Sequence, residues 1–143
     1  MKTDNKVLNN RLGDIEYSSV GRGVPVLFVH GGHSNCHETL CHQGFDLERF
    51  QLITPSRPGY GKTPLNGNRT PKQAADLMVE LLNHLKIDDV VVYGISAGGL
   101  TAIALAANYP SKVKKWQHFL LDRFNLVCFL FNNKHIDIQK HDL

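Results

Sequence analysis

Three largely apolar stretches stand out from a chain that otherwise mixes polar and apolar positions: the continuous run Val26-Leu27-Phe28-Val29, the shorter Phe50-Gln51-Leu52-Ile53-Thr54, and Val90-Val91-Val92 leading to Ile95. Short runs rich in β-branched residues suit strands covered on both faces, as in a parallel sheet. Between the second and third runs, Ala74, Leu77, Met78, Leu81, Leu82 and Leu85 fall at helical spacing and make one apolar face. Thr70-Pro71-Lys72-Gln73 opens that helix with a capping threonine, a proline at the first helical position and a glutamine that completes a capping box. After the third run, residues 97–108 are rich in small residues (Ala102, Ala104, Ala106, Ala107) and predict a helix that packs closely on a sheet, ended by Pro110. Ile15-Glu16-Tyr17 with Val20 predicts a further short strand, Gly21-Arg22-Gly23 a turn, and residues 36–45 a short helix closed near Gly44. The order predicts an α/β fold: a mostly parallel sheet with flanking helices.

Each apolar run ends in a glycine-bearing loop. His30-Gly31-Gly32-His33 follows the first, a loop with three prolines (Pro55, Pro58, Pro64) the second, and Gly94-Ile95-Ser96-Ala97-Gly98 closes the third. Parallel sheets carry their sites at these C-terminal strand ends. The G-x-S-x-G pattern lies in the context it requires, strand then sharp turn then helix. Such a turn strains Ser96 and lifts its Oγ into reach of a substrate. Gly94 and Gly98 flank it because a Cβ at either place is expected to crowd the serine. The same turn aims the Ala97 N–H at the place where an oxyanion forms.

These motifs, in this order and spacing, resemble the α/β-hydrolase fold superfamily of serine-nucleophile type over roughly residues 14–113. The resemblance implies that Ser96 is the nucleophile, that a histidine takes its proton, and that a carboxylate orients the histidine. It implies an oxyanion hole from the backbone N–H groups of Gly32 and Ala97. His30 and Gly31 then support the loop, with His30 not the general base, and Gly94 and Gly98 support the elbow. The Arg57-Pro58-Gly59-Tyr60-Gly61 loop shapes the rim, where Tyr60 either lines the pocket or only packs the loop. Implied substrates are small esters, amides or thioesters. A serine at the elbow argues against the branches that place a carboxylate there. No cofactor is expected.

In the superfamily the acid and the histidine come from later βα units, in the order serine, acid, histidine. Residues 1–113 read as the N-terminal part of the domain and residues 114–143 as an atypical tail. Lys114-Lys115-Trp116-Gln117-His118 is polar where a core strand is due. One βαβ unit takes about 30 residues, so the tail is short for this task. A truncated fold with impaired catalysis is expected; the alternative is a non-catalytic remnant, a pseudoenzyme or half of a split hydrolase. Asp122 with His135 or His141 is the triad arrangement the tail offers. Val127-Cys128-Phe129-Leu130-Phe131 can add a strand to the open sheet edge, and an unpaired edge invites self-association.

Composition narrows the partners. Hydrophobic residues make up 42% and charged residues 20%, as in a globular domain. The net charge is +3, but the ten Lys/Arg and ten Asp/Glu up to Pro110 cancel, so the body offers no basic stripe for nucleic acid. Three cysteines are an odd number and fit a reducing compartment. The N-terminus reads as no signal peptide and no apolar run approaches ~20 residues, so a cytoplasmic protein with no membrane partner and a small-molecule substrate is expected. Gly61-Lys62-Thr63 imitates the end of a phosphate loop, but no helix is predicted after it. His33, His37 and Cys41 fall four apart without a fourth ligand at a standard spacing, so no metal site is expected.

Overall fold

The computed structural model describes residues 5–39, 42–121, 126–132 and 135–140, with the backbone alone from residue 115 onward. The elements are β1 (Asn5–Leu8), β2 (Ile15–Gly21), β3 (Val24–Val29), β4 (Phe50–Pro55), α1 (Pro71–His84), β5 (Val90–Ile95), α2 (Gly98–Asn108), β6 (Val113–Leu121), β7 (Leu126–Asn132) and β8 (His135–Lys140). The strands form one mixed sheet in the order β1-β2-β4-β3-β5-β6-β7-β8. Its centre, β4-β3-β5-β6, is parallel. The flanking pairs are antiparallel.

The apolar stretches are the central strands β3, β4 and β5, covered on both faces as such stretches require. One face turns Leu27, Val29, Ile53, Val90 and Val92 toward α1 and α2. The other turns Val26, Phe28 and Leu52 toward Phe45, Leu47, Phe50 and Tyr93. On that face Phe28 stacks on Tyr93 at 5.2 Å between ring centroids and meets Phe45 edge-on at 5.5 Å.

Helix α1 starts where its capping box places it. The Gln73 N–H donates to Thr70 Oγ1 at 3.1 Å, and the Thr70 N–H donates to Gln73 Oε1 at 3.0 Å. The stripe Ala74, Leu77, Met78, Leu81 and Leu82 is buried. Each fully buried leucine contributes about 1.5–3 kcal/mol, so tertiary burial outweighs helix propensity here.

Two expectations are corrected, and one strand is added. Among the described residues, 36–45 form no α-helix. The bonds run three residues apart, Glu38 N–H to Asn35 O at 3.1 Å and Phe45 N–H to His42 O at 3.2 Å. The Asn35 side chain accepts the His37 N–H at 2.9 Å and so competes with a helical start. The polar stretch after Val113 does form a strand: β6 lies parallel to β5, with Val92 opposite Trp116 and Ile95 opposite Phe119. The open edge of β5 supplies backbone partners whatever the side chains, and Lys114 pairs with Asp89 at 2.9 Å. Strand β1, which no apolar run announced, is largely exposed and pairs with β2. The apolar run at 127–131 lies in β7, antiparallel to β6. Cys41, Asp122 and His141 lie outside the described residues, and His135 begins β8. No helix among the described residues is long and apolar enough to cross a membrane.

Candidate active site

The loops after β3 and β4 and the turn after β5 converge at the C-terminal edge of the parallel strands. Ser96 occupies the tip of that turn with φ +48°, in the left-handed region that side chains other than glycine rarely adopt. It is exposed. The chain then passes directly into α2, where the Gly99 N–H donates to Ser96 O at 2.9 Å.

The flanking glycines are required for a different reason than crowding of the serine. A Cβ on Gly94 would lie 2.8 Å from both Ala102 Cβ and Gly99 Cα, and one on Gly98 would lie 2.1 Å from Val29 O. They let α2 lie directly against β5 and β3. Gly31 measures how close the glycine loop comes to the elbow: its Cβ would be 3.3 Å from Ile95 O and from Ser96 Cβ. Gly32, one residue on, has nothing within 4 Å of a Cβ.

His30 anchors the glycine loop from beneath. Its ring is fully buried. Nδ1 lies 2.8 Å from Gly31 O, and Nε2 accepts the Arg57 N–H at 2.9 Å. Those contacts define a neutral ring that donates from Nδ1. Burial, aided by the Arg57 charge and opposed by the bond to Gly31 O, holds its pKa down at about 4. With both nitrogens engaged, the ring has no lone pair left for a serine proton.

Arg57 ties the same loop from above. Its Nε donates to His30 O at 2.8 Å and its Nη2 to Gly31 O at 2.9 Å. The guanidinium also stacks 4.7 Å from the centre of the Tyr60 ring, which meets His30 edge-on at 5.1 Å. Tyr60 therefore packs the loop. A cavity of about 150 Å³ beside the elbow is lined by Arg57, Pro58, Leu65, Ala97, Leu100 and Thr101, among others. Leu100 is 63% exposed and gives its mouth an apolar edge.

Beneath the loops lies a buried polar cluster that the sequence did not announce. Glu16 Oε2 accepts the Lys62 N–H at 2.8 Å and the Ser56 hydroxyl at 3.1 Å, while the Glu16 N–H donates to Thr63 Oγ1 at 2.9 Å. Burial alone would raise the Glu16 carboxyl, but the bonds from Lys62, Ser56 and Cys36 outweigh it and the net shift is downward. Gly61-Lys62-Thr63 thus spends its polar groups on Glu16, not on a phosphate cradle. The partners lie 40 to 47 positions from Glu16 in the chain; a carboxylate inside an apolar strand was the one sequence signal.

A serine in the left-handed region on a strand–turn–helix elbow thus faces a glycine loop at the C-terminal edge of a parallel core. Residues 24–116 match the alpha/beta hydrolase fold family, and the chain belongs to it. An uncharacterized hydrolase of Bacillus subtilis, YcgS, is 45% identical over 101 residues, covering 71% of this chain and 36% of that protein. An alpha/beta hydrolase fold protein from Nakamurella multipartita superposes with a TM-score of 0.71 at 30% identity, covering 80% of this chain and 40% of that one. A mutant of the N-acyl homoserine lactonase AidH, solved with N-hexanoyl homoserine lactone, gives a TM-score of 0.70 at 27% identity, covering 80% of this chain and 44% of that one. The chain therefore spans well under half the length of these relatives.

Proposed function

We propose that Ser96 is the nucleophile of a hydrolase acting on small esters, amides or thioesters, and that this chain by itself turns over slowly. The left-handed Ser96, φ +48°, is the observation that carries this reading. Its Oγ attacks the acyl carbon and loses its proton to a base. The bond to the leaving group breaks, and water then releases the acid. The N–H groups of Gly32 and Ala97 hold the oxyanion, and the apolar edge at Leu100 accepts the acyl part. Relatives named as a hydrolase and a lactonase, which opens a cyclic ester, support this substrate class. A reducing, cytoplasmic setting goes with the three cysteines.

Slow turnover follows from the strands after β6. β7 and β8 return antiparallel, where the superfamily takes its acid and histidine from further βα units. Where the acid and the histidine are not brought to the elbow in that order, the hydroxyl is a poor nucleophile, although an oxyanion hole and a pocket retain some rate over water. The same antiparallel strands favour the second reading, a non-catalytic remnant or one half of a split hydrolase. Hydrolysis of p-nitrophenyl acetate by the wild type and Ser96→Ala separates the two. Weak turnover above the uncatalysed rate, lost in Ser96→Ala, supports the nucleophile; equal rates in both proteins support the remnant.

A further inference from the structure

Away from the elbow, three chemically different ligating side chains converge. Glu16 on β2 and Cys36 and His37 in the loop after β3 bring one donor atom each within 4.8 Å of one another. The sequence had grouped His37 with His33 and Cys41; the fold groups it instead with its neighbour Cys36 and with a carboxylate 20 positions before Cys36.

The backbone fixes two of the three. The Cys36 N–H donates to Ser56 Oγ at 3.0 Å and Cys36 O accepts the Ser18 hydroxyl at 2.7 Å. Glu16 is tied by the Lys62 and Ser56 bonds to Oε2 and by the Cys36 thiol, and its Oε1 lies 3.5 Å from Asn5 Nδ2. Both residues are buried and His37 is exposed. The Asn5 amide also lies 2.6 Å from His37 Nε2. Turned over, that amide would present its oxygen to the same space as a fourth donor.

We propose that Glu16, Cys36 and His37 form a zinc(II) site, with the Asn5 amide oxygen or a water as fourth ligand, that clasps the β1–β2 hairpin to the loop after β3. Thiolate, imidazole and carboxylate together are a zinc donor set, whereas calcium and magnesium take oxygen ligands. Tetrahedral zinc holds sulfur at about 2.3 Å and nitrogen or oxygen at about 2.0–2.2 Å, which spaces donors about 3.3–3.8 Å apart. The cluster is thus open by about 1 Å, and rotation of the exposed His37 side chain closes it. On binding, the Cys36 thiol gives its proton to solvent and the thiolate becomes the ligand.

Cobalt(II) is the probe, because a thiolate ligand gives it a near-ultraviolet charge-transfer band. Titration of the full chain under reducing conditions is expected to produce that band at one equivalent, and zinc is expected to abolish it by displacement. Cys36→Ser removes the band. His37→Ala, at an exposed position that leaves the fold intact, weakens cobalt at least tenfold, the lower end of what even an outer partner of a metal site is worth. Cys41→Ser and Cys128→Ser leave the titration unchanged. No thiolate band at one equivalent overturns the proposal, as does an unchanged affinity in His37→Ala or a band that follows Cys41 or Cys128.

Discussion

Gly98→Ala tests how tightly the elbow is built. The added Cβ would lie 2.1 Å from Val29 O, 2.5 Å from His30 O and 2.8 Å from Val29 C. All three are backbone atoms at the end of a central strand, so no side chain can swing aside. An ordinary contact needs more than 3.4 Å, and α2 must back away by about 1 Å. Overpacking of this kind costs about 1–3 kcal/mol, and contact with backbone on one side and a strained turn on the other places it at the upper end. Gly98 is the first residue of α2, where the helix-interior advantage of alanine over glycine, about 1 kcal/mol, is only partly gained, which leaves a net loss of about 2–3 kcal/mol. Gly32→Ala is the control: nothing lies within 4 Å of its Cβ, so its cost should stay within about 0.5 kcal/mol. Urea unfolding followed by circular dichroism reads both, provided the dependence on urea concentration is unchanged. Equal stability of Gly98→Ala and the wild type, or an equal loss in Gly32→Ala, would show that α2 is not seated against the backbone of Val29 and His30.

His30 has a folded pKa of about 4 against an ordinary 6.5, so the folded form binds fewer protons than the unfolded chain between those values. Its contribution, about 3 kcal/mol in full, is present above about pH 6.5 and is lost as pH falls toward about 4. The half-buried His42 is shifted the same way by desolvation; a urea midpoint that does not fall across this window contradicts the assignment. Thr70→Ala removes the α1 cap and should cost about 1 kcal/mol in the same assay, while Thr70→Ser should cost little. Arg57→Met removes two bonds from a charged donor to the carbonyls of His30 and Gly31. It should cost about 1–2 kcal/mol after allowance for partial exposure and slow ester turnover further; an unchanged rate would show that the loop holds its shape without the clamp.

Local signals carried most of the fold. The apolar runs became β3, β4 and β5 because nothing but burial on both faces suits them, and the Thr70–Gln73 box set the start of α1. The elbow was legible because glycine spacing around Ser96 reports a backbone constraint directly. What escaped was set at long range. Residues 36–45 read as a short helix, but Asn35 and the packing of Phe45 on Phe28 hold the described ones as turns. Strand β6 forms on a polar stretch because β5 has an edge to fill. The Arg57 clamp and the Glu16 cluster join segments 26 to 47 residues apart, and no local pattern encodes such partners.

The central claim is that Ser96 is the nucleophile. Intact-mass and peptide analysis after incubation with a fluorophosphonate tests it most directly. One adduct per chain is expected, formed slowly, located on Ser96 and absent from Ser96→Ala. An adduct on another residue, or none at saturating probe, would contradict the nucleophile; rapid, complete labelling would contradict the slow turnover proposed for this chain.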